Sequence, residues 1–332
     1  MHMQQNNSGL TEIAKQLLAF DSFVLCGHIS PDGDCIGSQL ALGHALRALG
    51  KRVHFILARN DVIDRSLMFL PGINELVPAD EFSGRADAFV ACDVSISSRI
   101  AQGMQVRERC DVSFTIDHHE SSNADKSFTY SYLDPSSPST TMLIWELIGQ
   151  LGIKRDANMA LCAYTGLVTD TGGFRFQNTT SAAFMAASEM VATGIEPALV
   201  AREVFQSRRQ ASLQLEALAI ERMIVSEDAS FVISYLLLED FEKYNANKSD
   251  SEPIVNALRS VTGIKVACML REQENEVRGS FRAKDHTDVA ALAKKFQGGG
   301  HKAAAGFTIY ASMKEAIEQV TATLFEALSK KA

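Results

Sequence analysis

The sequence predicts an α/β protein with two domains: an N-terminal domain built on a parallel sheet and completed by helices, and a smaller C-terminal α+β domain. Short apolar runs alternate with helical patterns in the first part of the chain, and this rhythm is typical of a parallel sheet. After Pro135 the pattern becomes mostly helical, and strand-like runs return only after about residue 230. A length of 332 residues with 46% hydrophobic content is sufficient for two buried cores.

Four apolar runs supply the predicted strands of the first domain. They occupy residues 23–28, 53–57, 88–93 and 112–117. Parallel α/β sheets bind ligands beyond the carboxyl ends of their strands. Three of the runs end in a residue that can bind a metal ion or support a ligand, namely His28, Asp93 and Asp117. We therefore expect the functional site of this domain at that edge of the sheet.

Helical periodicity completes the first domain. The predicted helices lie at about 35–49, 139–151, 156–169 and 180–193, with a long helical stretch from 197 to 225. We expect the first domain to span residues 10–225. The polar residues 1–9 are predicted to form a disordered tail.

The remaining residues, 226–332, are predicted to form the second domain. A strand-like run at 231–238 is followed by a polar, turn-prone segment. The later elements are predicted strands at 264–270, 276–282 and 306–310 and helices at 287–296 and 313–329. Strands and helices in this irregular order indicate an α+β arrangement.

The charge and composition restrict the class of partner. A net charge of −8 and an isoelectric point near 5.5 argue against a protein that grips long duplex nucleic acid, because that mode requires a basic surface. Any nucleotide that the protein binds is therefore expected to be small. No apolar run approaches the ~20 residues needed to cross a bilayer, and the six cysteines form no CxxC pair, so a reduced cytoplasmic protein without a membrane partner is expected. The sequence leaves open whether the protein forms a homodimer.

The segment from His28 to Asp34 follows the first predicted strand, and a proline and a glycine bend it into a loop. Such a loop can direct His28, Asp32 and Asp34 at one point. Either aspartate could instead cap the helix that starts near Cys35, because aspartate is a favoured N-cap residue.

Three further segments place carboxylates or imidazoles at the same predicted edge. Asp93 ends one strand and could otherwise cap the helical segment that follows. Asp117, His118 and His119 end another strand and concentrate metal-ligand and proton-transfer groups. Asp170 ends an apolar helix before two glycines, where it could be a simple turn residue. The joint pattern of four segments predicts a metal site.

Four aspartates and two histidines are enough to bind two divalent ions ~3.5–4 Å apart, the arrangement suited to in-line displacement at phosphorus. The predicted ligands are His28, Asp32, Asp34, Asp93, His118 and Asp170, with Asp93 as the bridge. Oxygen and imidazole ligands without thiolate favour Mn²⁺, with Mg²⁺, Fe²⁺, Co²⁺ and Zn²⁺ as weaker alternatives. Cys35 and Cys92 adjoin predicted ligands but are expected to face the core.

The second domain contains a glycine run, GGGH at 298–301, which we interpret as a loop opening into a short helical turn. The bare backbone amides of Gly299 and Gly300 can bind an anion there. A flexible turn is the alternative interpretation. His301 at the end of the run, together with Arg282 earlier in the chain, favours a phosphate or carboxylate pocket.

Together these motifs resemble those of the DHH–DHHA1 phosphoesterase family. HISPDGD at 28–34 resembles the first motif of that family, Asp93 the second, the DHH sequence at 117–119 the third and Asp170 the fourth, while GGGH at 298–301 resembles the signature of the accessory domain. The resemblance covers nearly the whole chain beyond the tail. The two-domain length is similar to that of the bacterial nanoRNase and 3′-phosphoadenosine-5′-phosphate phosphatase branch.

The resemblance implies a role for each motif residue. The implied ligands of one ion are His28, Asp32 and Asp93, and those of the other are Asp34, Asp93, His118 and Asp170. His119 would contact the scissile phosphate or assist the leaving group, and Asp117 would orient the neighbouring imidazoles. Arg282 and His301 would hold the other phosphate of the substrate. Cys35 departs from the family pattern, since alanine is commoner at that position.

The expected function is metal-dependent hydrolysis of short RNAs to mononucleotides, with removal of the 3′-phosphate from 3′-phosphoadenosine 5′-phosphate. A soluble phosphodiesterase for cyclic di-AMP or linear dinucleotides would use the same metal centre and is the main alternative. A family II pyrophosphatase would lack GGGH in its second domain. A non-catalytic nucleotide-binding regulator would be expected to have lost metal ligands, and all six are present.

Overall fold

The computed structural model describes residues 9–119 and 127–329. The chain divides into two compact units between Ser207 and Arg208. The predicted tail at 1–9 lies outside the described residues apart from Gly9, which precedes the first helix. Each unit has a sheet and a hydrophobic core of its own, so the predicted two-domain α/β organisation is confirmed.

A parallel sheet of six strands forms the centre of the first unit, in the order β3-β2-β1-β4-β5-β6. The strands are β1 (Ser22–Cys26), β2 (Arg52–Leu57), β3 (Leu76–Pro78), β4 (Ala88–Cys92), β5 (Val112–Asp117) and β6 (Tyr130–Leu133). Every residue of β1, β4 and β5 is buried, and burial on both faces explains the nearly continuous apolar runs of β1 and β4. Strand β5 is equally buried although Ser113 and Thr115 alternate with its apolar residues. The edge strands β3 and β6 are short and only partly buried, so they escaped prediction.

Seven helices accompany this sheet in the described part of the first unit. They are α1 (Leu10–Leu18), α2 (Gly33–Ala48), α3 (Gly103–Arg107), α4 (Thr140–Gln150), α5 (Ala157–Asp170), α6 (Ser181–Ala192) and α7 (Pro197–Phe205). The largest fully buried side chain, Trp145 of α4, lies in the core with Ile36 of α2 and Leu167 of α5. This core fixes α4 and α5 against α2, whose first turn follows strand β1.

Glycine allows α2 and α5 to pack in backbone contact. A Cβ atom on Gly37 would lie 2.5 Å from the carbonyl oxygen of Cys162, and one on Gly166 would lie 2.9 Å from Cα of Asp34 and 2.4 Å from Cγ2 of Thr141. Carbon atoms do not approach so closely without a shift of the backbone. The two glycines therefore set the separation of the helices near their functional ends.

Replacing Gly166 with alanine is expected to lower the free energy of unfolding by ~1–3 kcal/mol through overpacking, despite the higher helix propensity of alanine. Urea denaturation would measure the change. Gly9→Ala is the matched control, because a Cβ atom there meets nothing within 4 Å. Equal stabilities of the two variants would show that the helices can separate without cost.

A second six-stranded sheet, of mixed direction, forms the other unit in the order β11-β12-β10-β9-β8-β7. Its strands are β7 (Ile224–Val225), β8 (Phe231–Leu236), β9 (Val266–Glu272), β10 (Val277–Ala283), β11 (Gly299–His301) and β12 (Ala304–Ile309). Its helices are α8 (Gln210–Glu221), α9 (Leu238–Lys243), α10 (Ile254–Arg259), α11 (Val289–Lys294) and α12 (Met313–Ser329). Only β8 and β9 pair in parallel; the other neighbouring pairs are antiparallel.

The structure moves the boundary between the two parts of the chain. The predicted helical stretch from 197 to 225 is interrupted after Phe205, and α8 packs Leu215 and Ala219 against Val232 and Leu236 of the second unit. The compact units thus divide one helix before the predicted boundary at 225/226. The apolar positions of α8 predict a buried helix face but do not indicate which of the two cores that face packs against.

The GGGH segment also differs from the prediction. Gly299–His301 forms strand β11, which pairs antiparallel with β12, so the expected short helical turn is wrong. A Cβ atom on Gly298 would lie 2.2 Å from the carbonyl oxygen of Gly306, so the close strand contact requires glycine there.

Within the residues that the structure describes, no single helix is long and apolar enough to cross a membrane; the bent pair α6 and α7, which turns by 113°, meets the length and composition only when both helices are combined.

Candidate metal centre

The polar residues predicted at the sheet edge come from three adjacent strands. His28 follows β1, Asp93 follows β4, and Asp117 ends β5 with His118 next to it. Strand β1 lies between β2 and β4, so the strand order reverses there. Such a switch point opens a crevice beyond the carboxyl ends of the strands, where ligands of doubly wound sheets bind.

His28 directs its Nε2 atom into this crevice. Its Nδ1 atom lies 2.8 Å from the carbonyl oxygen of Ile29, and because a carbonyl only accepts, Nδ1 carries the hydrogen and donates it. Nε2 lies 3.2 Å from Oδ2 of Asp93 and 3.9 Å from Oδ1 of Asp32. In the neutral ring, the acceptor nitrogen therefore faces carboxylate oxygens.

His118 has the same arrangement on the other side of Asp93. Its Nδ1 atom lies 3.2 Å from the carbonyl oxygen of Ser137. Its Nε2 atom lies 3.2 Å from Oδ2 of Asp170, 3.7 Å from Oδ1 of Asp93 and 3.8 Å from Oδ2 of Asp34. An acceptor nitrogen among carboxylate oxygens is stable only with a proton or a cation between them. This donor set therefore fits divalent cations.

Asp34 is fixed by the start of α4. Its carboxylate accepts hydrogen bonds from the backbone amides of Thr140 and Thr141, at 2.6 and 2.8 Å, and from the Thr141 hydroxyl at 2.7 Å. The Thr140 hydroxyl donates to Oδ1 of Asp93 at 2.8 Å. Sequence reasoning missed both threonines. The signal that could have indicated them is the Ser-Thr-Thr sequence at the start of a predicted helix, because helix N-termini bind anionic groups.

The structure shows which of three aspartates act as helix caps. Asp32 does cap α2, accepting hydrogen bonds from two backbone amides at 3.1 and 3.0 Å, and its side chain is 59% exposed. Asp93 caps nothing, because the following turn begins after Ile96, and Asp93 has a left-handed backbone with φ of 61°. Asp170 is the last residue of α5, where a negative charge opposes the helix dipole unless a cation offsets it.

Asp117 orients His119 rather than facing the other carboxylates. Its Oδ1 atom lies 2.7 Å from Nδ1 of His119 and accepts the backbone N–H of His119 at 3.1 Å. Nδ1 of His119 also lies 3.5 Å from Oδ1 of Asp93. Burial disfavours the protonated ring, but the hydrogen bond to Asp117 and the charge of Asp93 raise the pKa of His119 overall.

Three groups of potential metal ligands result, each with its donor atoms within 4.8 Å of one another. The groups are His28, Cys35 and Asp93; Asp93, His118 and His119; and Asp34, His118 and Asp170. Asp93 and His118 each belong to two groups. Cys35 is fully buried, as predicted, and its sulfur lies in the first group.

The carboxylates of this centre have opposite pKa shifts. Burial, followed by the charge of Asp93, raises the pKa of Asp34 to about 7. Burial and the charges of Asp34 and Asp32 raise the pKa of Asp170 well above its ordinary value. Burial also opposes ionisation of Asp93, but the hydrogen bond with His28 and the charges of His119 and His28 lower its pKa overall. Asp34 and Asp170 are thus carboxylates whose negative charge is not balanced by neighbouring groups, and a bound cation would supply that balance.

Metal-free protein is expected to become less stable as the pH rises from about 4 to about 7, the window set by the raised pKa of Asp34. In that window the folded state binds more protons than the unfolded chain, so the free energy of unfolding falls with rising pH. Asp93 acts oppositely, but only below about pH 4, because its pKa is lowered.

Thermal unfolding in chelator at about pH 5 and about pH 8 would measure this dependence, and Asp34→Asn should reduce it. Adding a divalent cation to the wild type should raise the stability most at the higher pH. An unchanged pH dependence in the variant would assign the effect to other groups.

A second cluster of charge lies on the sheet of the second unit. A cavity of about 500 Å³ there is lined by residues that include Lys248, Arg271, Arg278, Arg282, Gln297 and Gly298. Glu252 is the acidic residue among the lining side chains. The predicted Arg282 is thus in a cavity with other cations. Gly299 and Gly300 lie in strand β11, beside the lining residue Gly298.

The arginines of this cavity lie close together, and Arg278 pairs with Glu276 at 2.7 Å. Arg271 and Arg278 are directly opposite each other in the β9–β10 pair, and like charges in that position destabilise a sheet. Arg271 is only 8% exposed, and its Nε atom has no hydrogen-bond partner in the described part of the chain. Burial, then the charges of Arg259 and Arg271, lowers the pKa of Arg282 to about 10. Sequence reasoning missed Arg271; the signal that could have indicated it is a charged residue near the end of an otherwise apolar strand.

The fold and the converging side chains define the class: an α/β protein with a candidate divalent-metal centre at the carboxyl edge of a parallel sheet. Residues 22–167 match the N-terminal domain of the DHH family, and residues 228–330 match the DHHA1 domain. The chain belongs to the DHH family and carries a DHHA1 domain, which confirms the resemblance seen in its motifs.

Relatives cover most of the chain. The bifunctional oligoribonuclease and PAP phosphatase NrnA of Thermus thermophilus is 32% identical over 91% of this chain and 89% of that protein. A crystal structure of an exopolyphosphatase-related protein from Bacteroides fragilis is 28% identical and matches with a TM-score of 0.88, covering 97% of this chain and 95% of that one. RecJ from Thermus thermophilus in complex with Mn²⁺ is 14% identical and shares the fold, with a TM-score of 0.60 over 98% of this chain and 55% of that one.

Proposed function

We propose that the protein is a metal-dependent hydrolase of phosphoric ester bonds that cleaves short oligoribonucleotides to mononucleotides and removes the 3′-phosphate of 3′-phosphoadenosine 5′-phosphate. The observation that carries this proposal is the pair of histidine Nε2 atoms directed at shared carboxylates, since this donor set suits divalent cations. The name of the Thermus thermophilus relative, which covers nearly the whole chain, favours these substrates over cyclic dinucleotides.

The geometry supports two cations held on either side of Asp93. One set of proposed ligands is His28, Asp32 and Asp93, and the other is Asp34, Asp93, His118 and Asp170. Such oxygen and imidazole sets suit Mn²⁺, with Mg²⁺, Co²⁺, Fe²⁺ and Zn²⁺ as alternatives. When bound, divalent cations would stabilise negative charge on phosphate oxygens and lower the pKa of water toward neutrality.

The protein's own groups would position and protonate the substrate. We propose that His119, whose Nδ1 atom is hydrogen-bonded to Asp117 and whose pKa is raised, contacts the scissile phosphate or donates a proton to the leaving oxygen. The hydrogen bonds from Thr140 and Thr141 hold Asp34 and Asp93 in place, so these carboxylates need no rearrangement when the substrate binds.

The arginine cavity of the second unit would bind an anionic group of the substrate other than the phosphate that is being hydrolysed. Arg271 and Arg282 supply buried positive charge, and the strand β11 with Gly299, Gly300 and His301 follows the lining residues Gln297 and Gly298. Guanidinium groups suit phosphate because their donors match its oxygens in pairs.

Activity on a dinucleotide is expected to exceed activity on a strand of about 20 nucleotides, because an acidic protein gains little from additional phosphates. Rates at fixed salt concentration would test this, with the strand's own dinucleotide products as the internal standard. Equal rates on both lengths would favour a processive exonuclease.

A panel assay with Mn²⁺ tests the proposed function directly. Dinucleotide RNA and 3′-phosphoadenosine 5′-phosphate should be hydrolysed faster than cyclic di-AMP and pyrophosphate. Preference for the cyclic dinucleotide would support the main alternative, and binding of the panel without hydrolysis would indicate a nucleotide-binding regulator.

We further propose a cytoplasmic location. Whether the protein is a monomer or a homodimer would be decided by sedimentation of the same preparation.

A further inference from the structure

Cys35 stands beside the proposed metal ligands rather than only in the core. Its sulfur and the donor atoms of His28 and Asp93 all lie within 4.8 Å of one another. The residue is fully buried in the first turn of α2, where the helix dipole favours negative charge. The sulfur therefore belongs to the same group of potential ligand atoms as His28 and Asp93.

Two polar groups lie beside the sulfur of Cys35. The backbone N–H of His28 donates to Sγ of Cys35 at 3.3 Å, and the side-chain amide of Gln39 lies 3.7 Å from the same sulfur. The nearby buried Cys26 has the opposite role, because its thiol donates to the carbonyl oxygen of Gly27 at 3.3 Å. Backbone N–H groups directed at sulfur are a usual feature of metal-bound cysteine, where they stabilise the thiolate.

The chain makes room for this sulfur. A Cβ atom on Gly27 would lie 2.1 Å from Sγ of Cys35, so the glycine that precedes His28 allows the sulfur to approach the backbone of the metal-binding loop.

We propose that Cys35 is a ligand, as thiolate, of the cation bound by His28 and Asp93. On coordination the thiol loses its proton to solvent and its sulfur forms a bond to the cation, with no change of oxidation state. The inference depends on the metal centre of the proposed function but adds a ligand to it. A soft sulfur ligand shifts the preference of that site from Mn²⁺ towards Zn²⁺, Fe²⁺ or Co²⁺.

The test is to load chelator-treated protein with Co²⁺ alone and record its absorption spectrum. Cobalt bound to thiolate shows a sulfur-to-metal charge-transfer band in the near ultraviolet, which oxygen and nitrogen ligands do not give. We expect the band in the wild type and in Cys268→Ala, whose buried thiol lies in the second unit. Cys35→Ala and Cys35→Ser should lose the band while still binding Co²⁺.

A competition titration supplies the second measurement. The preference for Zn²⁺ over Mn²⁺ should fall by about tenfold or more in Cys35→Ala, because the soft ligand is absent. If the wild type binds Co²⁺ without the band, the inference is wrong and the metal centre remains. A band that persists in both Cys35 variants assigns it to another thiol and also overturns the inference. Failure of the wild type to bind Co²⁺ would refute the metal centre itself. If Cys35→Ala does not fold, the wild-type spectrum and Cys35→Ser decide.

Discussion

Replacing Asp93 with alanine is expected to reduce phosphoester hydrolysis by about a thousandfold or more, equivalent to a loss of ~4 kcal/mol of transition-state stabilisation. Asp93 contributes both oxygens to the centre. Oδ2 lies 3.2 Å from His28, while Oδ1 lies 3.7 Å from His118 and accepts a hydrogen bond from Thr140. Both proposed cations would lose a shared ligand at once. Initial rates on a dinucleotide would measure the loss.

Metal analysis by atomic emission separates loss of cations from loss of fold. We expect about two divalent ions per chain in the wild type and fewer in Asp93→Ala. Asp156→Ala is the control, because Asp156 only caps α5 through the backbone amide of Met159 at 2.9 Å. That variant should lose ~1 kcal/mol of stability and retain its activity. Near-normal turnover by Asp93→Ala, or a fully active preparation with one ion, would disprove the shared-ligand arrangement.

Removing the buried charges of the second unit is expected to lower the hydrolysis of nucleotide substrates but not that of a small generic ester. Arg271→Met and Arg282→Met should each lower kcat/KM for a dinucleotide by about 10- to 150-fold, since a charged hydrogen bond contributes ~1.5–3 kcal/mol. His301→Ala belongs to the same prediction. Hydrolysis of bis(p-nitrophenyl) phosphate, which has no second phosphate, should change little because the metal ligands are intact.

Lys295→Met provides a control for loss of charge, because Lys295 is 46% exposed and pairs with Glu326 on the surface of the same unit. It should leave both substrates unaffected. A parallel loss on both substrates in the arginine variants would mean that the cavity supports the fold rather than the substrate. No loss on either substrate would place the second phosphate elsewhere.

The position of the candidate metal centre was predictable because it follows from local patterns and one rule of topology. The runs that end at His28 and Asp93 are mostly apolar and the run that ends at Asp117 alternates, but all three read as strands, and parallel strands present their carboxyl ends at one edge. The sequence therefore indicates that these residues meet even though no local feature connects them.

The remaining parts of the centre depend on contacts that periodicity does not contain. The hydrogen bonds from Thr140 and Thr141 to Asp34 join residues separated by 106 and 107 positions. The residues around Asp34 and those around the two threonines contain no pattern that specifies this pairing. The approach of Cys35 depends on the missing side chain of Gly27, which is evident only in three dimensions. Likewise, the glycines of GGGH have a low strand propensity, and the extended conformation of β11 comes from its pairing with β12.

The long separation between Asp34 and the start of α4 has a consequence for the order of folding. A contact across more than a hundred residues closes a large loop, and the entropy lost in closing it is recovered only when the surrounding core has formed. The nascent chain therefore cannot assemble the centre from its first strands alone. Cation affinity would arise only after α4 and α5 have docked on α2, which makes metal uptake a late event and a reporter of the completed N-terminal unit.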